Sequence, residues 1–151
     1  MKDYTVDDLR RIARPRLGDK IPLELFRILR IIGMREILGD SSGAALYMIG
    51  KKVGNMIGAE DIDSFKNRIT ELKIGIPEVE IVDDDHLVVK LYECITCAGF
   101  SYTGEMFCDM ESGIIAGILE KVYNKRQSLH RRRAGLQVIT TASFTYFYIN
   151  R

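Results

Sequence analysis

The sequence contains few of the residues and motifs on which common catalytic sites depend. Its 151 residues include only two histidines, so a catalytic triad of nucleophile, histidine and acid has few candidate residues. No GxSxG elbow occurs, and no GxGxxG fingerprint follows a predicted strand, which leaves a nicotinamide or flavin site of the Rossmann type unsupported. These absences leave the common His-based hydrolases and the dinucleotide-dependent enzymes without support in the sequence.

An excess of charge of one sign and a long apolar run are also missing. The net charge is +1, from 22 basic and 21 acidic side chains, so nucleic acid is an unlikely partner. The basic stretch from Lys121 to Arg133 is the competing observation, and we interpret it as a solvated loop. No stretch approaches the roughly 18–20 apolar residues of a membrane helix, and the first residues, MKDYTVDDLRR, are charged. We therefore expect a cytoplasmic protein.

The periodicity of the first half predicts helices. Short helical spacing runs over residues 6–13, and Pro15 ends it. A second helix follows Pro22, in which Leu25, Ile28, Leu29 and Ile32 share one face and Glu24, Arg27 and Arg30 the other. Gly39 is its predicted end. A third helix extends from Ser41 or Ser42 to Ile57 before Gly58, and a fourth begins at Asp61 or Asp63.

The second half predicts strands around one more helix. The segment GIPEVEIVDDDHLVVKLYEC alternates as two strands joined at Asp83–Asp85, with Leu87, Val89 and Leu91 on one face. Helical spacing returns over residues 104–123, and residues 136–149 predict a second pair of strands. The result is one domain over residues 1–151 of the α+β class, with N-terminal helices packed on a mainly antiparallel sheet and a glycine-rich helix between two hairpins.

Glycines recur at helical spacing in two of these helices: Gly50, Gly54 and Gly58 in the third, Gly113 and Gly117 in the fifth. Each costs on the order of 1 kcal/mol relative to alanine inside a helix, so they require a reason. One reason is close packing against another element, and the other is room for a small apolar ligand between helix and sheet. The candidate lining positions for such a ligand are Leu46, Ile49, Val53, Ile114, Ile118 and Tyr146.

Three cysteines, Cys94, Cys97 and Cys108, form a CxxC and one later thiol. An odd number of cysteines without an export signal makes a disulfide framework improbable. A CxxC at a strand end suits zinc, for which the fourth ligand would be His86, Asp109, Glu111, His130 or water. Buried thiols acting as small hydrophobes, or a redox pair, are the alternatives. A zinc-thiolate enzyme or reductase at these cysteines is accordingly the alternative to a binding module.

Two blocks of the sequence resemble the 4-vinyl reductase domain family. The first is RPRLGDKIPLELFRILRIIGMREILG, residues 14–39, with ALYMIGKKVGNMIG after it, and the second is FCDMESGIIAGILEKVYNK, residues 107–125. The resemblance implies a fold shared with TRAPP transport subunits and haem-based nitric-oxide sensors, a homodimer, and a sensory or regulatory domain that binds small apolar or hydrocarbon-like ligands. A further cysteine that relatives carry near the chain end is absent from TTASFTYF, residues 140–147. A haem is not expected, because neither His86 nor His130 lies on a predicted helix.

Overall fold

The computed structural model describes residues 6–9, 12–83, 86–100, 107–123, 127–130 and 141–148. Its helices are α1 (Val6–Leu9), α2 (Leu23–Arg27), a π-helical segment (Ile28–Gly33), α3 (Met34–Leu38), a short 3-10 turn (Gly39–Ser41), α4 (Ser42–Ile57), α5 (Ile62–Glu71) and α6 (Asp109–Tyr123). Its strands are β1 (Ile76–Asp83), β2 (His86–Tyr92), β3 (Gln127–His130) and β4 (Thr141–Tyr148). The predicted α+β class, with a glycine-rich helix between two hairpins, is confirmed.

The predicted second helix is a continuous helical stretch from Leu23 to Leu38, which we call helix 23–38. It consists of α2, the π-helical segment and α3, and the wider π turn replaces the regular α spacing over six residues. Gly39 ends it with φ of 56°, a conformation that glycine adopts without steric cost. The prediction that Gly39 would end this helix is therefore confirmed.

The ends of α4 and α5 also follow the sequence. Gly58 ends α4 with φ of 62°, whereas Ser41 precedes α4 without a side-chain hydrogen bond to it. Asp61 caps α5 by accepting a hydrogen bond from the backbone N–H of Ser64, whose hydroxyl accepts one from the backbone N–H of Asp61 in return. Of the two predicted starting residues for this helix, Asp61 is the correct one.

One antiparallel sheet has the strand order β1-β2-β4-β3. In the first hairpin β1 pairs with β2, for example through Val79 and Val89. Strand β2 also pairs with β4 on its other edge, for example through Val89 and Phe144. Leu87, Val89 and Leu91 are buried on β2, as the alternation predicts. They form the core together with Phe65 and Ile69 of α5 and the apolar residues of α6, which is buried from residue 111 to residue 119.

Three boundaries differ from the prediction. The described part of the first helix spans Val6–Leu9, and Ala13 is not helical. Helix α6 starts at Asp109, because the carbonyl of Cys108 accepts its first backbone hydrogen bond from Ser112 at 3.0 Å. The partner of the last strand lies upstream of the predicted residues 136–149, since β4 pairs with Gln127–His130. The arginines of the basic stretch, Arg131–Arg133, lie outside the described residues.

Helices α4 and α6 run parallel to each other at unusually close range. A Cβ atom added to Gly50 would lie 2.0 Å from the carbonyl oxygen of Met110, and one added to Gly54 would lie 2.1 Å from that of Ile114. From the other side, Gly113 and Gly117 approach the carbonyls of Tyr47 and Lys51 in the same way, at 2.1 and 2.2 Å. Close packing of the two helices therefore accounts for these four glycines.

Candidate functional site

The three cysteines lie together where the sheet meets α6. Cys94 follows β2, Cys97 lies in the turn after it, and Cys108 directly precedes α6. The sulfur atoms of Cys94 and Cys108 are 3.6 Å apart, and all three sulfur atoms lie within 4.8 Å of one another. All three thiols are free; Cys94 is buried, whereas Cys97 and Cys108 are half-buried. We call this group the cysteine centre.

The thiols influence one another's ionisation. Hydrogen bonds from Cys108 and then Cys94 lower the pKa of Cys97 to about 4. Cys108 acts to lower the pKa of Cys94 as well, but Cys97 and burial outweigh it and raise that pKa to about 11. The hydrogen bonds to Cys94 and Cys97, together with burial, raise the pKa of Cys108 above its usual range. The mutual hydrogen bonds therefore favour ionisation at Cys97 over ionisation at Cys94 or Cys108, because Cys97 alone among the three thiols has its pKa lowered overall.

A buried carboxylate lies on the first turn of α6, three residues after Cys108. Glu111 is fully buried, and its Oε1 accepts a hydrogen bond of 2.6 Å from the hydroxyl of Thr96, which lies inside the CxxC. Burial raises the pKa of Glu111 to about 7, and the nearby Cys94 acts in the same direction. Within the described part of the chain its other oxygen, Oε2, has no hydrogen-bond partner.

Two arginines of helix 23–38 hold the segments that carry the cysteines. Arg27 donates from Nε to the carbonyl of Ile95 at 2.9 Å and from its terminal nitrogen to that of Ala98 at 2.8 Å. Arg30 donates to the carbonyl of Phe107 at 2.6 Å, and the same nitrogen lies 3.9 Å from Oε2 of Glu111. Both segments are therefore fixed by side chains of a single helix.

This orientation is the opposite of what the amphipathic pattern of helix 23–38 suggests. Of the predicted charged face, Arg30 is only 6% exposed and Arg27 is half-buried, so both arginines point inward, whereas Glu24 is exposed. The predicted apolar face points outward: the exposed fractions of Leu25, Ile28, Leu29 and Ile32 are 45, 52, 61 and 58%. Sequence reasoning found both faces and did not find which one the protein covers.

Comparisons with known proteins agree with the resemblance seen in the sequence. Residues 87–130 match the model of the 4-vinyl reductase domain. Uncharacterized protein MJ1642 of Methanocaldococcus jannaschii is 30% identical over 110 residues, which are 73% of this chain and 67% of that protein. Uncharacterized protein MJ0150 of the same organism is 34% identical over 116 residues, 73% of this chain and 66% of that protein. The chain belongs to the 4-vinyl reductase domain family. The matches span about two thirds of the length of these two relatives.

Solved structures show the fold of this 4-vinyl reductase domain. A vinyl-4-reductase family protein from Methanocaldococcus jannaschii superposes with a TM-score of 0.66 at 20% identity, covering 89% of this chain and 85% of that one. A trafficking protein particle complex subunit 3 from Naegleria fowleri, covalently bound to palmitic acid, gives 0.59 at 12% identity, with coverages of 85% and 95%. An H-NOX protein of T. tengcongensis gives 0.56 at 12%, with coverages of 93% and 80%. The fold expected from the resemblance, shared with TRAPP subunits and haem-based sensors, is confirmed.

The predicted ligand-lining residues of this domain lie in three elements. Ile114 and Ile118 of α6 are buried in the core, Leu46 of α4 is buried, and Val53 of α4 is half-buried and packs against the core. Ile49 is 42% exposed, which places it apart from the core residues. Tyr146 pairs with Leu87 in the sheet. Two surface depressions, of about 460 and 280 Å³, are lined by residues 12–19 and 66–77, away from all six positions.

The structure brings together the predicted metal ligands Cys94, Cys97 and Cys108. Among the residues that the structure describes, no carboxylate or imidazole joins the three sulfurs in a group as tight as theirs. Asp109 faces α4, where its Oδ2 would lie 3.3 Å from a Cβ added to Gly43. His86 and His130 are terminal residues of strands β2 and β3. Arg27, Arg30 and Thr96 were missed by sequence reasoning.

No helix in the described ranges is both long enough and apolar enough to span a bilayer.

Proposed function

We propose that this 4-vinyl reductase domain is a non-catalytic small-molecule-binding module with a sensory or regulatory role, and that a zinc ion in its cysteine centre is part of it. The single observation that carries the metal is the convergence of three free thiols within 4.8 Å. Family membership supports a small-molecule-binding module in general. The metal, the apolar ligand and the dimer are the finer parts of the proposal, and each has its own test.

The donor set fits zinc. A tetrahedral zinc with Zn–S bonds of about 2.3 Å separates its sulfur ligands by about 3.8 Å, and Cys94 and Cys108 are already 3.6 Å apart. Glu111 lies at i+3 from Cys108 and therefore on the same side of α6, with Oε2 free of hydrogen bonds within the described residues. We assign the fourth position to this carboxylate or to water. When bound, the zinc would fix the two cysteine-bearing segments to each other.

Metal content of purified protein and of serine variants tests this assignment. We expect one zinc per chain in the wild type and loss of at least about tenfold in zinc affinity in Cys94→Ser or Cys108→Ser, because a thiolate ligand is removed. Met48→Ser, which also exchanges sulfur for hydroxyl at a position that is 70% exposed, is the matched control. Equal zinc content in all four proteins would refute the metal centre.

The apolar ligand is proposed to contact Leu46, Ile49, Val53, Ile114, Ile118 and Tyr146, the positions inferred from helix and strand faces. Burial of apolar surface at about 25 cal/mol per Å² would supply its binding energy. Native mass spectrometry, repeated after denaturation, is the test. An organic adduct that is lost on denaturation supports a carried ligand, and retention of that adduct in Ile118→Ala and Leu46→Ala would refute these positions.

A zinc-thiolate enzyme is the second candidate. The half-buried state of Cys97 and Cys108 favours it, because solvent and substrate then reach a centre that has only three protein thiols among the described residues. Zinc X-ray absorption of wild type and Glu111→Gln separates the two functions. Loss of an oxygen ligand in the variant indicates a closed structural site, whereas an unchanged oxygen that exchanges for added thiol indicates an open catalytic position.

The partner that we propose is a second copy of this chain, docked on the outward apolar face of helix 23–38. Leu25, Ile28, Leu29 and Ile32 expose on the order of 400 Å² between them, half of what each side of a standard interface buries. At about 25 cal/mol per Å² their burial would contribute at most about 10 kcal/mol per protomer, against an association cost of about 4–15 kcal/mol and the further cost of ordering side chains. Because the face is half the size of one side of a standard interface, we expect a weak homodimer that dissociates in the micromolar range or above.

Sedimentation analysis of the Leu29→Glu variant tests the dimer. A charge on the face should yield monomers at concentrations where the wild type is dimeric, because it would be desolvated on docking. Met48→Glu, at an exposed apolar position on α4, is the control. A wild type that stays monomeric at several hundred micromolar, or a dimer that tolerates Leu29→Glu, would assign this face to another partner.

A further inference from the structure

Helix 23–38 contacts the cysteine centre with one face and exposes apolar side chains on the other. Its arginines reach carbonyls that neighbour the cysteines in sequence: Ile95 and Ala98 on either side of Cys97, and Phe107 beside Cys108. The exposed fraction is 6% for Arg30 and 61% for Leu29, so adjacent residues mark the inner and outer faces.

Aromatic contacts tie the same helix to the chain on both sides of residues 101–106. The guanidinium of Arg27 lies 5.0 Å from the ring centre of Phe100, and that of Arg35 lies 5.0 Å from the ring centre of Phe107. The two rings contact each other edge to face, with centres 6.0 Å apart. Movement of either cysteine-bearing segment is therefore transmitted to helix 23–38 through rigid, planar groups.

One hydrogen bond and one ion pair complete the connection between the CxxC turn and helix 23–38. Thr96 donates to Glu111, and the other oxygen of that carboxylate faces Arg30. The carboxylate thus lies between the CxxC turn and helix 23–38, on the first turn of α6. A cation bound to all three sulfurs would tie the turn at residues 94–98 to residues 107–108, and Arg27 and Arg30 connect these two segments to helix 23–38.

We infer that metal occupancy of the cysteine centre and docking of a second copy on the apolar face of helix 23–38 are thermodynamically coupled, with Arg27 and Arg30 as the positioning residues that couple them. The inference rests on the proposed metal centre and the proposed dimer. A bound metal fixes both cysteine-bearing segments and with them the helix, so docking then orders fewer groups. The metal therefore tightens the dimer, and by reciprocity the dimer tightens metal binding, with the product of the affinity changes at its two sites equal to the change in the dimer constant.

The experiment measures the dimer dissociation constant of the full chain by sedimentation, with one equivalent of zinc and with a chelator. We expect zinc to tighten the dimer by on the order of tenfold, within the usual range of coupling between sites. Zinc affinity, measured by competition with a chromophoric chelator, should rise about threefold per site when the protein concentration is raised from below to above the dimer dissociation constant, because the tenfold change is shared by the two zinc ions of the dimer.

Variants at Arg27 test the positioning role. Arg27→Gln should weaken zinc binding by about tenfold or more, as loss of a residue supporting metal ligands does, and bring the ratio of the two dimer constants close to one. Arg27→Lys keeps the charge but cannot reach both carbonyls in the same way, so it should fall between wild type and Arg27→Gln. Arg68→Gln, at an exposed arginine paired with Glu71 on α5, is the control and should behave as wild type.

The outcomes are separable. Zinc binding and dimerisation with equal dimer constants in both conditions overturn the coupling and leave the proposed function intact. Absence of zinc binding, or of a dimer at any concentration, overturns the corresponding part of the proposed function and the coupling with it. If Arg27→Gln does not fold, hydrogen exchange of the wild type decides: zinc should slow exchange in residues 23–38 and not in α5, and unchanged exchange in helix 23–38 refutes the inference.

Discussion

Replacement of Gly54 by alanine is the sharpest test of the packing between α4 and α6. The added Cβ would lie 2.1 Å from the carbonyl oxygen of Ile114, whereas ordinary contact begins at 3.4 Å, so the helices must separate locally by about 1.3 Å. The oxygen belongs to the backbone of a helix buried from residue 111 to residue 119, so it cannot move without displacing that helix.

Two effects of opposite sign determine the result. Alanine is favoured over glycine inside a helix by up to about 1 kcal/mol, and overpacking of a tight interior typically costs about 1–3 kcal/mol, occasionally more. Because the neighbour is backbone and the whole interface must shift, we expect overpacking to win and the free energy of unfolding to fall by about 1–3 kcal/mol. The thermal midpoint should fall by roughly 3–10 °C in a chain of this size.

Gly33→Ala is the matched control. Gly33 is also helical, with φ of −60° and ψ of −45°, but the nearest atom to its added Cβ is 3.9 Å away. Here only the propensity acts, so this variant should be as stable as wild type or up to about 1 kcal/mol more stable. Chemical denaturation with an unchanged m-value measures both. Equal stability of Gly54→Ala and Gly33→Ala would refute the close approach of the two helices.

Two further predictions concern charged side chains, the buried carboxyl of Glu111 and the partly exposed ion pair of Lys51 and Glu120. Burial raises the pKa of Glu111 to about 7 from an ordinary 4.5, so the folded state of the metal-free protein holds a proton that the unfolded state releases. The stabilisation that this group contributes is fully present below pH 4.5 and is lost as the pH rises through 7. With a chelator present, Glu111→Gln should therefore remove about 3 kcal/mol of pH dependence from the free energy of unfolding between these two pH values. Parallel plots of unfolding free energy against pH for the two proteins would contradict this prediction. Lys51 and Glu120 form a 2.6 Å ion pair between α4 and α6 that is partly shielded from solvent. A double-mutant cycle with Lys51→Met and Glu120→Gln should give a coupling free energy of up to about 1 kcal/mol that shrinks in high salt, whereas a coupling unaffected by salt would argue against an ionic origin.

Local patterns in the sequence predicted most elements of the fold. The stop at Gly39, the cap at Asp61 and the buried face of β2 follow from backbone preferences and period-two alternation, which depend on neighbouring residues alone. The pairing of β4 with residues 127–130 was missed because strand pairing is a long-range choice that local alternation does not determine.

The sequence predicted the three cysteines of the candidate site but not the two arginines that hold the segments carrying them. Cys94 and Cys97 are close by spacing, and Cys108 joins them because the segment before α6 returns to the end of β2. Helix 23–38 has a clear apolar face, but amphipathicity identifies two faces without saying which one meets the protein. Arg27 and Arg30 turn inward because backbone carbonyls of the cysteine-bearing segments accept their hydrogen bonds, and no sequence period records such partners.

The parallel pair of helices has a consequence for synthesis of the chain. Gly54 and Gly117 belong to the same interface, yet 63 positions separate them, and the whole first hairpin lies between α4 and α6. At about 5–20 residues per second, a ribosome takes roughly 3–13 seconds to add the residues that cover the glycine face of α4. During that time this stretch of bare backbone lacks the helix that finally covers it, so we expect the nascent chain to be most exposed to misassembly before α6 emerges.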